Sequence, residues 1–203
     1  MNFTEYVENE KKKARLKNIE EVRKNIDTID VKEKIKKHVE AFDGIMTEEE
    51  IRDGILNNII IASKFCVDPG RQNISEKLAS QVLGIKKLPA YGKNCIRFDP
   101  KGNIISQKID GATKSADFML DDYYATQKYT KENGGAQDNQ KADVRDFLLK
   151  GSQQHKVAAI LDGDYWDVQR PLLIKEFENN PNVLITSVTE LSENIWQWPK
   201  FLI

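Results

Sequence analysis

The residues that most often carry metal or nucleophilic chemistry are scarce: the 203 residues include only two cysteines and two histidines. Cys66 and Cys95 match no zinc-ligand spacing and neither sits near a histidine, so buried free thiols in a reducing compartment are expected. His38 and His155 are too isolated to support histidine-based catalysis. Neither GxxxxGK[ST] nor GxGxxG occurs, which disfavours nucleotide-driven enzymes and predicts no nucleotide cofactor. No apolar run approaches the ~20 residues of a membrane span and no signal-peptide core opens the chain, so a cytoplasmic protein without a membrane partner is expected. Charge of one sign is missing too: 31 Lys and Arg against 32 Asp and Glu leave a net charge of −1. Any nucleic-acid contact must therefore come from local patches.

What is present suits one domain of ordinary size with a helical extension. Residues 1–40 mix Lys, Arg and Glu with Leu16, Ile19, Val22, Ile26 and Ile29 at spacings of three and four, which predicts an amphipathic helix or a pair of helices. Thr47 and Glu50 form a capping box before a helix carrying Ile51, Ile55 and Ile59 and running to about Phe65. Residues 1–66 thus read as a helical region, either packed on the domain or serving as a dimerisation or DNA-contact arm. Asp68-Pro69-Gly70 is a turn. Asn73 is a plausible cap for a helix from Ile74 to Leu83, ended by Gly84. Glu76 in its first turn either complements the helix dipole or serves a site on the neighbouring sheet.

From Asn94 the periodicity changes to strands: Cys95–Phe98, Ile104–Gln107, Ala116–Leu120 and Tyr123–Thr130. A helix over 136–150, a strand over Lys156–Leu161 closed by Asp162-Gly163, a helix near Leu172–Phe177, a strand over Val183–Ser187 and a helix near Glu190–Trp196 follow. The expected fold is α/β, a mixed central sheet flanked by helices over residues 67–203, with the helical region before it. Trp166, Trp196 and Trp198 read as packing residues.

The segment 115–140 carries the chemistry. Asp117 closes a short alternating run, and on the next strand Thr126, Lys128, Thr130 and Glu132 share one face, so Lys128 can lie beside Asp117. A nearby ammonium favours the ionised carboxylate that a hard divalent cation needs. The plain alternative is a cross-strand ion pair contributing at most about 1 kcal/mol. Gly134-Gly135 then breaks the strand within an amide-dense stretch from Glu132 to Gln140, and Gln137, Gln140, Asp143 and Phe147 advance along one helix face.

This order of elements, with an acid on one hairpin strand and a lysine on the next, resembles the PD-(D/E)xK nuclease superfamily, in particular the small type II restriction endonucleases. The likeness extends from Arg71 to the carboxy terminus and includes Ala158-Ala159-Ile160-Leu161-Asp162-Gly163-Asp164-Tyr165-Trp166 and Asn182-Val183-Leu184-Ile185-Thr186. It implies a restriction-endonuclease-like core, Mg2+ as cofactor, double-stranded DNA as partner and a homodimer. Asp117 would be the first metal-binding acid and Lys128 the catalytic lysine. The departure is Thr126, which stands where a second acid is usual. Some members carry a serine there with the acid moved to the following helix, which points to Asp143; Glu132 and then Asp138 are the alternatives, and without any of them the domain would be catalytically dead. Glu76 would join as a metal-shell or substrate-orienting acid. Asn133, Gln137, Asp138, Asn139 and Gln140 would contact DNA, where Gln and Asn can pair bidentately with adenine, or else cap the helix. A structure-specific or repair endonuclease and a non-catalytic DNA-binding or protein-interaction module remain the competing functions.

Overall fold

The computed structural model describes residues 2–41, 43–131 and 137–195, and the chain divides into two compact units, Tyr6–Ile74 and Met1–Glu5 with Ser75–Ile203. In the helical unit the charged amino-terminal stretch forms α1 (Phe3–Lys24) and α2 (Ile29–Ala41). The chain breaks between them, so the apolar spacing loses phase. Ile19 and Ile26 are buried and Val22 packs beside them, whereas Leu16 and Ile29, expected on the same stripe, are exposed. The capping box forms at α3 (Glu48–Asn57): Glu50 N donates to Thr47 Oγ1 at 3.2 Å and Thr47 N to Glu50 Oε2 at 2.7 Å. The single helix expected to reach Phe65 is interrupted at Asn58, whose extended backbone (φ −124°) lets its Oδ1 accept from Ile60 and Ile61 and start α4 (Ile59–Phe65). Ile51, Ile55, Ala62 and Phe65 close the core of this unit with Val31 and Ile35.

After a 3-10 turn at Pro69–Gln72 the α/β unit begins with α5 (Ile74–Leu83). Asn73 sits in the left-handed region (φ 50°) between the two. The first hairpin, β1 (Arg97–Phe98) with β2 (Ile104–Ile105), is shorter than its β-propensity suggests and forms a separate two-stranded sheet. Side chains take over there: buried Arg97 donates to the carbonyls of Ala90 and Thr113, each at 3.2 Å.

The main sheet holds β3 (Phe118–Leu120), β4 (Tyr123–Tyr129), β5 (Val157–Asp162) and β6 (Val183–Thr186) in the order β3-β4-β5-β6. β3 and β4 pair antiparallel, and the other two pairings are parallel. The parallel steps are made by α6 (Gln137–Gly151) and α7 (Asp164–Glu176), and α8 (Val188–Ile195) packs on β5. Both faces of β5 are covered, so all six of its residues are buried. Val157, Ala159 and Leu161 meet Val144, Phe147 and Leu148 of α6 and Trp166 and Leu173 of α7. The fold is therefore α/β, with a mixed four-stranded sheet flanked by helices. α7 corrects the expectation of a helix starting near Leu172: it begins at Asp164 and runs through Pro171, because burial of Tyr165 and Trp166 outweighs the backbone hydrogen bond the proline removes. Cys66 and Cys95 are free thiols. Among the described residues no helix is long and apolar enough to cross a membrane.

Candidate functional site

β3 and β4 set the geometry. Asp117 N donates to Ala125 O at 2.8 Å, and the Asp117 carboxylate then turns back on β4 and accepts from Gln127 N at 2.8 Å, the place a strand carbonyl would take if the ladder continued. The same Oδ2 accepts from Thr126 Oγ1 at 3.1 Å. Lys128, two residues along and on Thr126's face, places Nζ 3.6 Å from Asp117 Oδ2, 3.2 Å from Thr126 Oγ1 and 3.0 Å from the carbonyl of Gln127. The side chains of Lys128 and Asp117 are 22% and 16% exposed, so the cluster is shielded and still reachable. Thr126, on the same parallel register line as Ala159, is buried and its hydroxyl links acid to ammonium. The side chain of Gln127 points to the opposite face, buried, with Nε2 lacking a partner among the described residues.

The other expected site residues do not join this cluster. Asp143 lies on α6 and is held by Lys114, Nζ to Oδ2 at 2.5 Å, with its side chain 29% exposed. Lys114 stands three residues before Asp117, and nothing in the sequence pattern marked it as this acid's partner. Glu76 bonds Lys87, whose backbone bridges Phe118. Phe118 alternates with Asp117, so Lys87 approaches from the face opposite the acid. Glu132 and Asn133 lie outside the described residues. Gln137, Asp138, Asn139 and Gln140 form the first turn of α6. Asp138 and Asn139 are exposed, while Gln140 Oε1 accepts from Thr130 Oγ1 at 2.9 Å, tying the helix start to the end of β4. Among the described residues no three His, Cys, Asp or Glu side chains gather as a metal-binding group. Asp117 is the one expected acid in the cluster, and the Gln127 carbonyl accepts from Lys128 Nζ at 3.0 Å.

A further acid lies at the carboxyl end of the neighbouring strand. Asp162 is 4% exposed, and burial pushes its carboxyl up to about 7 although Val188 N–H, at 3.1 and 3.2 Å, and the charge of Arg170 favour the ion. Its alternating neighbours are apolar, and the following Asp-Gly pattern reads as a turn, so the sequence did not mark it. The unfolded chain gives up this proton near pH 4 and the folded chain near 7, so between those values the folded state binds more protons and stability falls as pH rises. Asp162→Asn is expected to remove that slope. Urea unfolding from pH 4 to 8 should show the variant gaining on the wild type by up to about 3–4 kcal/mol above pH 7. A difference that stays flat across the window would refute the assignment.

Together these residues define a mixed α/β unit carrying an acid, a hydroxyl and an ammonium at one strand pair. No protein-family model matches the chain, and no curated protein and no solved structure matches it.

Proposed function

We propose that the α/β unit is a magnesium-dependent type II restriction endonuclease, hydrolysing phosphodiester bonds of double-stranded DNA at a specific short sequence on a restriction-endonuclease-like core. The meeting of Asp117, Thr126 and Lys128 carries this reading. Magnesium is held through one or two carboxylates and leaves the rest of its shell to water and substrate phosphates, a requirement that Asp117 fits. When bound, the ion supplies neutralisation of the phosphate and a lowered pKa for a water. Lys128, anchored by Thr126 and the Gln127 carbonyl, keeps an ammonium aimed where charge builds on the phosphate. Thr126 is a positioning residue, since its hydroxyl orients both the acid and the lysine. In this reading Asp138 and Asn139, exposed on the first turn of α6, would contact DNA. Cutting both strands of a palindromic site implies a symmetric homodimer.

The engagement of Asp143 by Lys114 and the threonine at 126 favour a second reading, a DNA-binding module without catalysis. Incubating the purified protein with phage DNA separates the two. Discrete fragments are expected with Mg2+, and none with EDTA or with Asp117→Asn. DNA left intact under every divalent ion would move the assignment to the binding module, and cleavage confined to junctions or mismatches would move it to a repair endonuclease.

A further inference from the structure

In the helical unit several cations are matched by acids on the surface: Lys11 with Glu8, Lys13 with Glu10, and both Lys32 and Arg52 with Asp27. A cleft of about 640 Å3 brings together Arg15 of α1, Lys34 and His38 of α2 and Lys64 of α4, with Asp68 the one acid in its lining. Among the described residues neither Lys34 nor Lys64 makes an ion pair, and Arg15 meets an acid, Asp68, at 3.9 Å with both side chains more than half exposed (57% and 60%). Lys34 Nζ lies 3.5 Å from the carbonyl of Phe65, so the negative end of α4 offsets part of that charge, as Asp68 offsets part of Arg15's, and three formal cations face one carboxylate in the cleft. The wall is firm: the His38 ring packs on Phe65 with centroids 4.5 Å apart and its Nδ1 lies 3.0 Å from the Lys34 carbonyl. Like charges brought together from three helices repel, and an anion in the cleft would relieve that repulsion.

We propose that this cleft binds backbone phosphates of nucleic acid, making the helical unit a DNA anchor; the inference rests on the nuclease reading for the identity of the polyanion. Arg15 offers a planar fork suited to phosphate oxygens, and Lys34 and Lys64 act as point charges. Interactions of this kind carry affinity rather than sequence choice. They give a nearly neutral chain the local positive patch that DNA binding requires.

Binding of a fluorescein-labelled 30-base-pair DNA duplex to the full chain, followed by anisotropy in EDTA across a salt series, tests the assignment. Lys34→Glu with Lys64→Glu is expected to weaken binding by about tenfold or more and to lower the slope of log affinity against log salt by about two, one for each phosphate no longer neutralised. Lys17→Glu with Lys36→Glu, the same charge change on exposed residues outside the cleft, is expected to bind within about twofold of the wild type. Should the first pair fail to fold in a thermal melt, Lys34→Gln with Lys64→Gln keeps most of the side-chain length and decides the matter. Equal losses in both pairs, no loss in the cleft pair, or binding to phosphatidylserine vesicles in place of the duplex would each overturn the proposal. A protein that binds duplex through the cleft and never cuts it with Mg2+ overturns the nuclease reading alone. One that cuts DNA with an affinity indifferent to Lys34 and Lys64 overturns the cleft alone.

Discussion

Lys128→Met is expected to slow magnesium-dependent DNA cleavage by about 10²–10³-fold while the melting temperature stays close to that of the wild type. Methionine keeps most of the length and volume of the side chain without its ammonium, so what disappears is the cation facing the developing phosphate charge. The ion pair to Asp117 spans 3.6 Å with both side chains partly exposed, and pairs of that kind contribute about 0–1 kcal/mol to stability. Cleavage rate and thermal unfolding measured on one preparation separate the roles. A purely structural lysine would shift the melt and leave the rate per folded molecule unchanged, and that pattern would remove Lys128 from the chemistry.

The second large effect is on folding. Gly163→Ala is expected to destabilise the α/β unit by about 3–5 kcal/mol, the sum of backbone strain and overpacking. Gly163 has φ 100° and ψ 161°, a combination open essentially to glycine alone. A Cβ there would stand 2.3 Å from the Thr130 carbonyl oxygen and 2.7 Å from its carbon, both backbone atoms with little room to give. Thr130 N donates to Asp162 O at 3.0 Å and Tyr165 N to Thr130 O at 3.3 Å, so the glycine lies where the end of β4 crosses the start of α7. Against a total stability of about 5–15 kcal/mol for a domain, such a loss should be plain in the urea midpoint. A change under about 1 kcal/mol would mean that the crossing relaxes freely, contrary to the close backbone packing.

Which parts of this protein were legible depended on how far apart in the chain the interacting groups lie. The Thr47–Glu50 capping box joins residues three apart, and the two-residue alternation of a strand placed Thr126 and Lys128 on one face beside Asp117; both are local rules, and both hold in the folded chain. The same rules misplaced the start of α7, because Asp162-Gly163 and Pro171 carry breaker signals while the burial of Trp166, a long-range term, decides the helix. They were equally silent on Lys114, which lies 29 residues before Asp143 in the chain and holds it, and on Arg97, whose buried guanidinium bonds two backbone carbonyls beside the short first hairpin.

The amino-acid order by itself thus determined the class of fold, the neighbouring strands and the pairing of an acid with a lysine, since each follows from period and propensity within a few residues. Only the tertiary structure decided that Thr126 links that pair, that Asp162 is held in a dry environment, and that four basic side chains from three helices share one cleft. Burial and convergence of charge arise where distant segments pack, and no local pattern encodes them.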